Sequence, residues 1–318
     1  MASAALGRTT PCFALLVLFS SLLSLCSATR KLASLYVPPP ETLAYHQGPL
    51  LEGQLSVSIF WYGKFSPSQK SIVSDFFLSL NPGKRGEGQS LSEAEHPSVS
   101  KWWQTVLSYL KDAGKKETRI SLSGQVSDEG FLLGKSLKRA QIVELARRVN
   151  SKSVSLTLVL TAEDVAVEGF CMSSCGFHGS DRETKEVFIW VGNSASQCPG
   201  QCGWPFHQPI YGPQSQPLGA PNGDVGVDAM VVNIASILAN TVTNPFGNGY
   251  YQGPADAPLE AASACSGVYG KGSYPGYAGE LLVDSGSGAS YNAEGVDGRK
   301  YLLPALVDPL TSRCWTLV

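Results

Sequence analysis

The residues from Val225 to Val242 constrain the fold most, because they form a long apolar run whose few polar side chains recur at helical spacing. At about 100° per residue, Asn233, Ser236 and Asn240 fall within one narrow stripe of an otherwise apolar helix. A helix that is apolar on nearly all sides is a buried helix. We therefore predict a core helix over residues 225–242, which the rest of the chain must enclose.

Other segments predict the elements that surround this helix. Apolar residues alternate or run together in four segments typical of strands, "QLSVSIFWYG", "TRISLSG", "VSLTLVLT" and "EVFIWVG". Helical periodicity is present in "FSPSQKSIVSDFFLSL", where Ser66 and Gln69 form a capping box, in residues 98–113 and in "LKRAQIVELARRV". The predicted fold class is α+β or α/β, with one mixed main sheet and packed helices.

Composition along the chain predicts three regions. Residues 1–28 are typical of a secretory signal peptide, with Arg8 before a short apolar segment and small residues ending at Ala28. A Pro-rich lead-in over 29–50 precedes one domain over 51–318, which has Gly/Pro-rich loops from residue 192 onward. We expect the mature protein to be soluble and secreted, with no membrane span.

Six of the eight cysteines follow the predicted signal peptide. An even number of cysteines in an exported chain indicates three disulfides. We expect one pair to fix the C-terminus and the other four cysteines to pair among themselves in a connectivity that spacing leaves open. A four-thiolate zinc site is the alternative for those four, because they form two C-x3-C pairs. The expected terminal pair is Cys265–Cys314, and the other four are Cys171, Cys175, Cys198 and Cys202.

The charge balance gives no electrostatic signature of nucleic-acid binding. The chain has 24 basic and 26 acidic side chains, for a formal net charge of −2. Lysine and arginine are scattered rather than clustered, so a polyanion partner is not indicated. We expect neither nucleic acid nor a cofactor as a partner.

The polar stripe of the predicted helix has the spacing of a metal site but not the chemistry. Ser236 and Asn240 are four residues apart, the spacing of the two helical zinc ligands in a metallopeptidase, and Ile237 occupies the position of the general base. None of these three side chains supplies a zinc ligand of the usual kind or a base. We interpret Asn233, Ser236 and Asn240 as a polar stripe whose members hydrogen-bond neighbouring backbone inside the core.

Several longer segments resemble the plant EXORDIUM, or phosphate-induced, protein family. The matching segments run from residue 45 to 309 and include "YHQGPLL", "FWYGKFSPSQ", "WVGNSASQCPGQCGWPF", "TVTNPFGNGYYQGP" and "GRKYLLPALVDP". The resemblance implies a secreted protein of the plant cell-wall space, the apoplast. It also implies a role in brassinosteroid-dependent growth, cell expansion and adjustment to carbon status, with no established enzymatic activity.

A more distant resemblance concerns secreted zinc metallopeptidases. Residues 236–245, "SILANTVTNP", are similar in frame to an "HE-x-x-E-A-x-T-D-P" motif, and Glu260 precedes a cysteine as an acidic residue does there. The resemblance implies a zincin-like scaffold whose zinc motif is lost, with Ser236, Ile237, Asn240 and Glu260 at the vacated positions. His178 in "CGFHG" also resembles a segment of those proteins.

Loop residues supply the remaining candidates. "LLVDSGSG" copies the aspartic-protease pattern, but those enzymes need two such carboxylates and no second D-[ST]-G exists, so we interpret this segment as a Gly/Ser hairpin loop. Trp102 and Trp103 are interpreted as core residues rather than a sugar platform. The weaker candidates for binding are His178, His207, Trp204, Tyr250 and Tyr251.

Two functions therefore remain open. The first is a non-enzymatic growth regulator that binds a wall polymer or a cell-surface protein through Gly/Tyr/Trp-rich loops. The second is an extracellular hydrolase, either a metallopeptidase with rearranged ligands or a wall-carbohydrate enzyme.

Overall fold

The computed structural model describes five stretches of the chain. The predicted signal peptide and the first part of the Pro-rich lead-in lie outside them. The described residues are 42–81, 96–149, 156–172, 174–181 and 186–318.

The described stretches contain α-helices, β-strands and two short 3-10 helices, Ser263–Cys265 and Val296–Gly298. The α-helices are α1 (Pro67–Ser79), α2 (Val99–Asp112), α3 (Arg139–Val149), α4 (Pro199–Cys202) and α5 (Val225–Thr243). The strands are β1 (Ala44–Tyr45), β2 (Gln54–Tyr62), β3 (Arg119–Asp128), β4 (Ser136–Leu137), β5 (Leu156–Thr161), β6 (Ala166–Val167), β7 (Gly176–Ser180), β8 (Val187–Gly192), β9 (Tyr250–Tyr251), β10 (Leu282–Val283), β11 (Ser290–Tyr291), β12 (Ala293–Glu294), β13 (Lys300–Tyr301), β14 (Leu306–Asp308) and β15 (Arg313–Trp315).

The main sheet has five strands in the order β3-β2-β5-β8-β7. The first four are parallel, and β7 pairs antiparallel with β8 at one edge. Every residue of β5 and β8 is buried, as is usual for parallel strands covered on both faces. The mixed α+β class and the single mixed main sheet are therefore confirmed. The edge strand β7 was not predicted, because "GFHGS" lacks an alternating apolar pattern and is held by its pairing with β8.

Helix α5 lies at the centre of the packing. It contacts β7 and β8 of the sheet and also helices α1 and α2. Helix α3 packs instead against β2, β5 and β8. Because both faces of β5 and β8 are buried, α3 covers the opposite face. By length and composition α5 could span a membrane, but 78% of its most apolar window is buried within the protein. These features identify it as the predicted core helix, one residue longer than the predicted range.

The predicted local signals at the other helices are confirmed. Ser66 Oγ accepts a hydrogen bond from Gln69 N, and Gln69 Oε1 accepts one from Ser66 N, which completes the capping box. Trp102 and Trp103 are each 1% exposed. They belong to the core cluster, so they are not available as a sugar platform.

Three disulfides hold the part of the chain that follows the sheet. Cys265 is bonded to Cys314, the pair that we expect from the sequence. The connectivity that spacing leaves open is resolved as two bridges, each joining residues 27 apart along the chain, so the four sulfurs are disulfide atoms rather than thiolate ligands. These bridges are Cys171–Cys198 and Cys175–Cys202.

Short hairpins dominate the C-terminal part. Strands β12 and β13 pair through a turn in which Asp297 and Gly298 have φ values of 55° and 70°. Both values are positive, as a type I′ turn requires, and Arg299 N donates to Val296 O to close it. An Asp-Gly pair is the usual sequence signal for a hairpin turn of this type, so the turn follows from the local sequence.

A buried carboxylate anchors the start of α5 to the C-terminal part. Asp228 is 3% exposed and accepts hydrogen bonds from Asn222 N at 2.8 Å and Asn222 Nδ2 at 2.6 Å. Asn222 Oδ1 in turn accepts from Arg299 Nη1, and Arg299 Nε donates to Asp75 on α1. Burial raises the pKa of Asp228 to about 6, against the lowering effect of the two bonds from Asn222.

We expect Asp228 to make the protein more stable at mildly acidic pH. A carboxyl whose pKa is about 6 when folded, against an ordinary value of 3.8, holds its proton more tightly in the folded state. The free energy of unfolding should therefore fall by on the order of 2–3 kcal/mol as pH rises from about 4 to 6. Above pH 6 it should level off. Urea unfolding of the native protein and of Asp228→Asn at pH 4, 5, 6 and 7 measures this contribution as the difference between the two proteins.

The matched control is Asp256→Asn, because Asp256 is exposed. It should leave the pH dependence unchanged. If Asp228→Asn follows the native curve at every pH, burial does not hold a proton on Asp228.

Candidate functional site

An open cleft runs along the polar stripe of α5. The cavity has a volume of about 470 Å³ and is bounded by α5, the start of β7, α4 and the segment 262–269. Asn233, Ser236 and Asn240 all line it. The expectation that the stripe lies inside the core is therefore wrong in one respect: Asn233 and Ser236 are half-buried side chains at the wall of a cleft.

The side chains of the stripe nevertheless form hydrogen bonds with the backbone, as the sequence interpretation expects. Asn233 Nδ2 donates to Ala229 O at 3.0 Å, and Ser236 Oγ donates to Val232 O at 2.9 Å. Each bond is to the carbonyl four residues earlier, which keeps both side chains against their own helix. The hydroxyl oxygen of Ser236 retains its capacity to accept a hydrogen bond.

Asn240 joins the helix to the other wall of the cleft. Its Oδ1 accepts a hydrogen bond from Ala262 N at 2.8 Å, and the residue is 6% exposed. The segment that carries Ala262 continues into the 3-10 helix Ser263–Cys265 and its disulfide, so this bond fixes the width of the cleft at its deep end.

The positions that would carry a zinc ligand and a base hold groups that can do neither. Ser236 and Asn240 offer a hydroxyl and an amide, and Ile237 packs its Cδ1 against Gly176 of the edge strand. A Cβ added at Gly176 would lie 2.6 Å from that Cδ1, so the apolar contact is close. Within the described stretches, no three His, Cys, Asp or Glu residues are grouped closely enough to hold a metal ion.

His178 and Glu260 form a pair close to the deep end of the cleft. His178 Nε2 lies 3.2 Å from both carboxylate oxygens of Glu260, and Glu260 Oε1 accepts from Asn244 Nδ2 at 2.7 Å. The two side chains are 17% and 9% exposed. His178 Nδ1 is buried without a hydrogen-bond partner among the described residues. The pair joins the edge strand to the segment after α5, but neither residue lines the cavity.

The other candidates are separated by the fold. Trp204 lines the cleft and packs its ring against Tyr269 with centroids 5.5 Å apart. His207 is exposed on the segment after α4 and does not line the cleft.

Tyr250 and Tyr251 do not line the cleft either. Tyr250 is 3% exposed, and its ring stacks on Tyr45. Tyr251 stacks on His46 with ring centroids 3.8 Å apart. These contacts accompany the pairing of β1 with β9, which makes Tyr250 a packing residue rather than a surface for a partner.

Asp284 of the "DSGSG" segment lies in a hairpin, as interpreted from the sequence. Its carboxylate forms an ion pair with Lys300 and accepts bonds from Ser287 N and Oγ between β10 and β11. The Lys300 amine holds the pKa of Asp284 well below its usual range. The carboxylate is therefore committed to the turn and stays ionised.

Several cleft residues carried no signal in the sequence. Gln201, Ser263, Ser266 and Tyr269 line the cavity although each stands in a Gly/Ser-rich segment without periodicity. The only available signal is their position next to Cys202 and Cys265, because a disulfide places its flanking residues beside another part of the chain.

Comparison with known proteins gives one consistent result. A family model described as "Phosphate-induced protein 1 conserved region" matches residues 43–317. The chain is 57% identical over 312 residues to "Protein PHOSPHATE-INDUCED 1" of Nicotiana tabacum, covering 95% of this chain and 97% of that protein. It is 54% identical over 313 residues to "Protein EXORDIUM" of Arabidopsis thaliana, covering 95% and 98%. No solved structure matches the chain.

We expect Glu260→Ala to destabilise the protein by about 1–3 kcal/mol, because it leaves the buried Asn244 amide and the half-buried His178 ring without their acceptor. Glu260→Gln retains one acceptor oxygen and should cost less. Thermal and urea unfolding of both variants measure the effect. Glu129→Ala, at an exposed position, is the control and should be neutral. An unfolding free energy of Glu260→Ala equal to that of the native protein would show that the pair is not structural.

Proposed function

The chain belongs to the phosphate-induced protein 1, or EXORDIUM, family, and from this premise we propose that it is a secreted plant protein that regulates growth by binding rather than by catalysis. The proposed place of action is the apoplast, and the proposed process is brassinosteroid-dependent cell expansion. The coarser statement, a regulatory plant protein, agrees with the family names of its relatives.

One observation carries the binding role. The cleft along α5 is large enough for a ligand, yet every described side chain that lines it is neutral and none of them is a histidine. Zinc ligation needs carboxylates, histidines or thiolates, and general acid–base catalysis most often uses a histidine or a carboxylate. Tyr269 also lines the cleft, but burial raises its pKa above the ordinary value, which keeps the phenol protonated. A cleft of ligand size that lacks carboxylates, histidines and free thiolates among its described residues is suited to binding.

Two features support secretion. Residues 1–28 have the pattern of a cleaved leader, and the described residues contain three disulfides, which persist in oxidising compartments. The brassinosteroid role is supported by the family alone.

We predict that the chain expressed with its leader in plant cells is recovered from the medium with Thr29 as its first residue. Mass spectrometry of the mature N-terminus is the measurement. The same chain without residues 2–28 should stay inside the cell and fail to restore brassinosteroid-dependent elongation in a plant that lacks its relatives. Restoration of elongation by the leaderless chain would contradict an extracellular site of action.

A degenerate metallopeptidase scaffold is the second proposal, and the His178–Glu260 pair favours it. Glu260 lies two residues before Ala262, which is bonded to Asn240, so an acidic side chain lies near the α5 positions that this proposal assigns to former zinc ligands. The alternative function to be tested is a hydrolase whose metal ligands lie at other positions than in the usual motif.

We predict that the purified mature protein carries no stoichiometric zinc after dialysis. We also predict that a variant with Ser236→His, Ile237→Glu and Asn240→Glu takes up about one zinc per chain, because it restores two ligands and a base at helical spacing. Elemental analysis measures both, and circular dichroism verifies folding.

Each arm has its own contrary outcome. Stoichiometric zinc in the native protein would contradict the non-catalytic role. A folded triple variant that binds no zinc would contradict the metallopeptidase origin and leave the binding role intact.

A further inference from the structure

We propose that the cleft along α5 and the groove that continues from it form one extended site for a neutral oligosaccharide chain. This inference rests on the proposed non-catalytic binding role and specifies the class of ligand.

The cleft does not end at α4. A second cavity of about 540 Å³ adjoins it, and the two share Gln201, Trp204, Ser266 and Gly267 as lining residues. Each cavity lies within the roughly 300–1,000 Å³ range of small-ligand sites. Together they provide a path with room for several sugar residues.

Among the described residues, no charged side chain lines either cavity. This neutrality is a property of the groove and not of the whole surface, because a third cavity of about 310 Å³ is lined by Asp75, Asp284, Arg299 and Lys300, among others. Uronic-acid polymers, phosphates and charged peptides would lose their water without gaining an opposite charge in the groove. The ligand that matches this lining is therefore uncharged.

Aromatic rings occur where the two cavities meet and in the outer cavity. Trp204 stands where the two cavities meet, and Tyr269 lies beside it in the cleft. In the outer cavity Tyr211 is 84% exposed and Tyr274 is 64% exposed. Large exposed rings grouped at one groove mark an interaction site. A pyranose ring has an apolar C–H face that packs flat on such a ring.

Amide and hydroxyl groups line the same two cavities as these rings. Gln201, Ser263 and Ser266 present neutral donors and acceptors next to Trp204, and Asn233 and Ser236 extend this row along α5. Asn233 and Ser236 already donate to helix carbonyls, so their oxygens remain as acceptors for the hydroxyls of a ligand. Ser263 Oγ accepts from Glu260 N and can donate its proton, and Gln201 and Ser266 can donate and accept. A proline-rich peptide also binds aromatic grooves, but it offers few hydroxyls to satisfy this row.

Covalent bridges hold the walls of the site. Cys175 and Cys202 line the cleft and are bonded to each other, and Cys265 is bonded to Cys314. Fixed walls lower the cost of ordering loops on binding. Hydrolysis of a glycoside usually needs a pair of carboxylates, and the described lining residues include none, so the bound chain should be released intact.

Isothermal titration calorimetry of the mature disulfide-bonded protein tests the proposal. The probes are neutral oligosaccharides of four to eight residues from cellulose, xyloglucan, mannan and arabinan, and oligogalacturonide is the charged control. We expect one neutral series to bind with an affinity that rises with chain length across the groove, and no binding of oligogalacturonide. Equal binding of oligogalacturonide, or binding of none of the neutral series, overturns the proposal.

Variants locate the site. Tyr211→Ala combined with Tyr274→Ala, both at exposed positions, should weaken binding at least about tenfold without changing the melting temperature. Trp204→Phe, added to the tyrosine double variant, should weaken sugar binding further. Leu132→Ala removes an exposed apolar side chain outside the groove and should bind like the native protein. Unchanged affinity of the tyrosine double variant would place the sugar elsewhere.

The remaining outcomes separate this inference from the function on which it rests. If the native protein is secreted and metal-free but binds a proline-rich peptide and no sugar, the binding role stands and the oligosaccharide assignment is wrong. If it binds a neutral chain and cleaves it, as chromatography of the recovered ligand would show, the site is assigned correctly and the non-catalytic role is wrong.

Discussion

Burial of helix α5 is the constraint on which the rest of the structure depends. Most of its residues are apolar and buried, so the helix requires cover on almost every side. The sheet supplies one side through β7 and β8, and helices α1 and α2 supply another. The remaining side carries the polar stripe, and there the chain does not close over the helix. The cleft is the consequence of enclosing a mostly apolar helix that carries a stripe of polar side chains on one face.

The segments beyond the sheet have little regular structure, so specific bonds hold them over that line. Disulfides fix the walls at Cys175–Cys202 and Cys265–Cys314, and the bond from Ala262 to Asn240 sets the deep end. At the start of the helix, the hydrogen bonds from Asn222 to the buried carboxylate of Asp228 hold the preceding segment in place. The groove therefore has a defined shape even though much of it is built from Gly-rich loops.

Local and periodic signals in the sequence predicted most of the fold. Features that depend on a few neighbouring residues or on simple periodicity can be predicted from one segment alone. Examples are the capping box at Ser66, the Asp-Gly turn at Asp297 and the apolar strands. Strand β7 was missed because its backbone pairing with β8, and not its own side chains, makes it a strand. The candidate site was predicted in part. Helical geometry placed Ser236 and Asn240 on one face, but whether that face was sealed or open depended on loops that have no periodicity. The extension towards Tyr274 could not be predicted, because it is created by folding of the C-terminal part against α4.

The central proposal is that the groove along α5 binds a ligand, and that it neither catalyses a reaction nor holds a metal. A crystal structure of the mature protein grown with a neutral wall oligosaccharide, with anomalous data collected at the zinc edge, tests this claim most directly. The account predicts an intact sugar chain packed on Trp204 and extending along the groove, with no anomalous peak near Ser236 and Asn240. A metal ion coordinated at that end of α5, or a sugar bound at another surface while the groove holds only solvent, would contradict it.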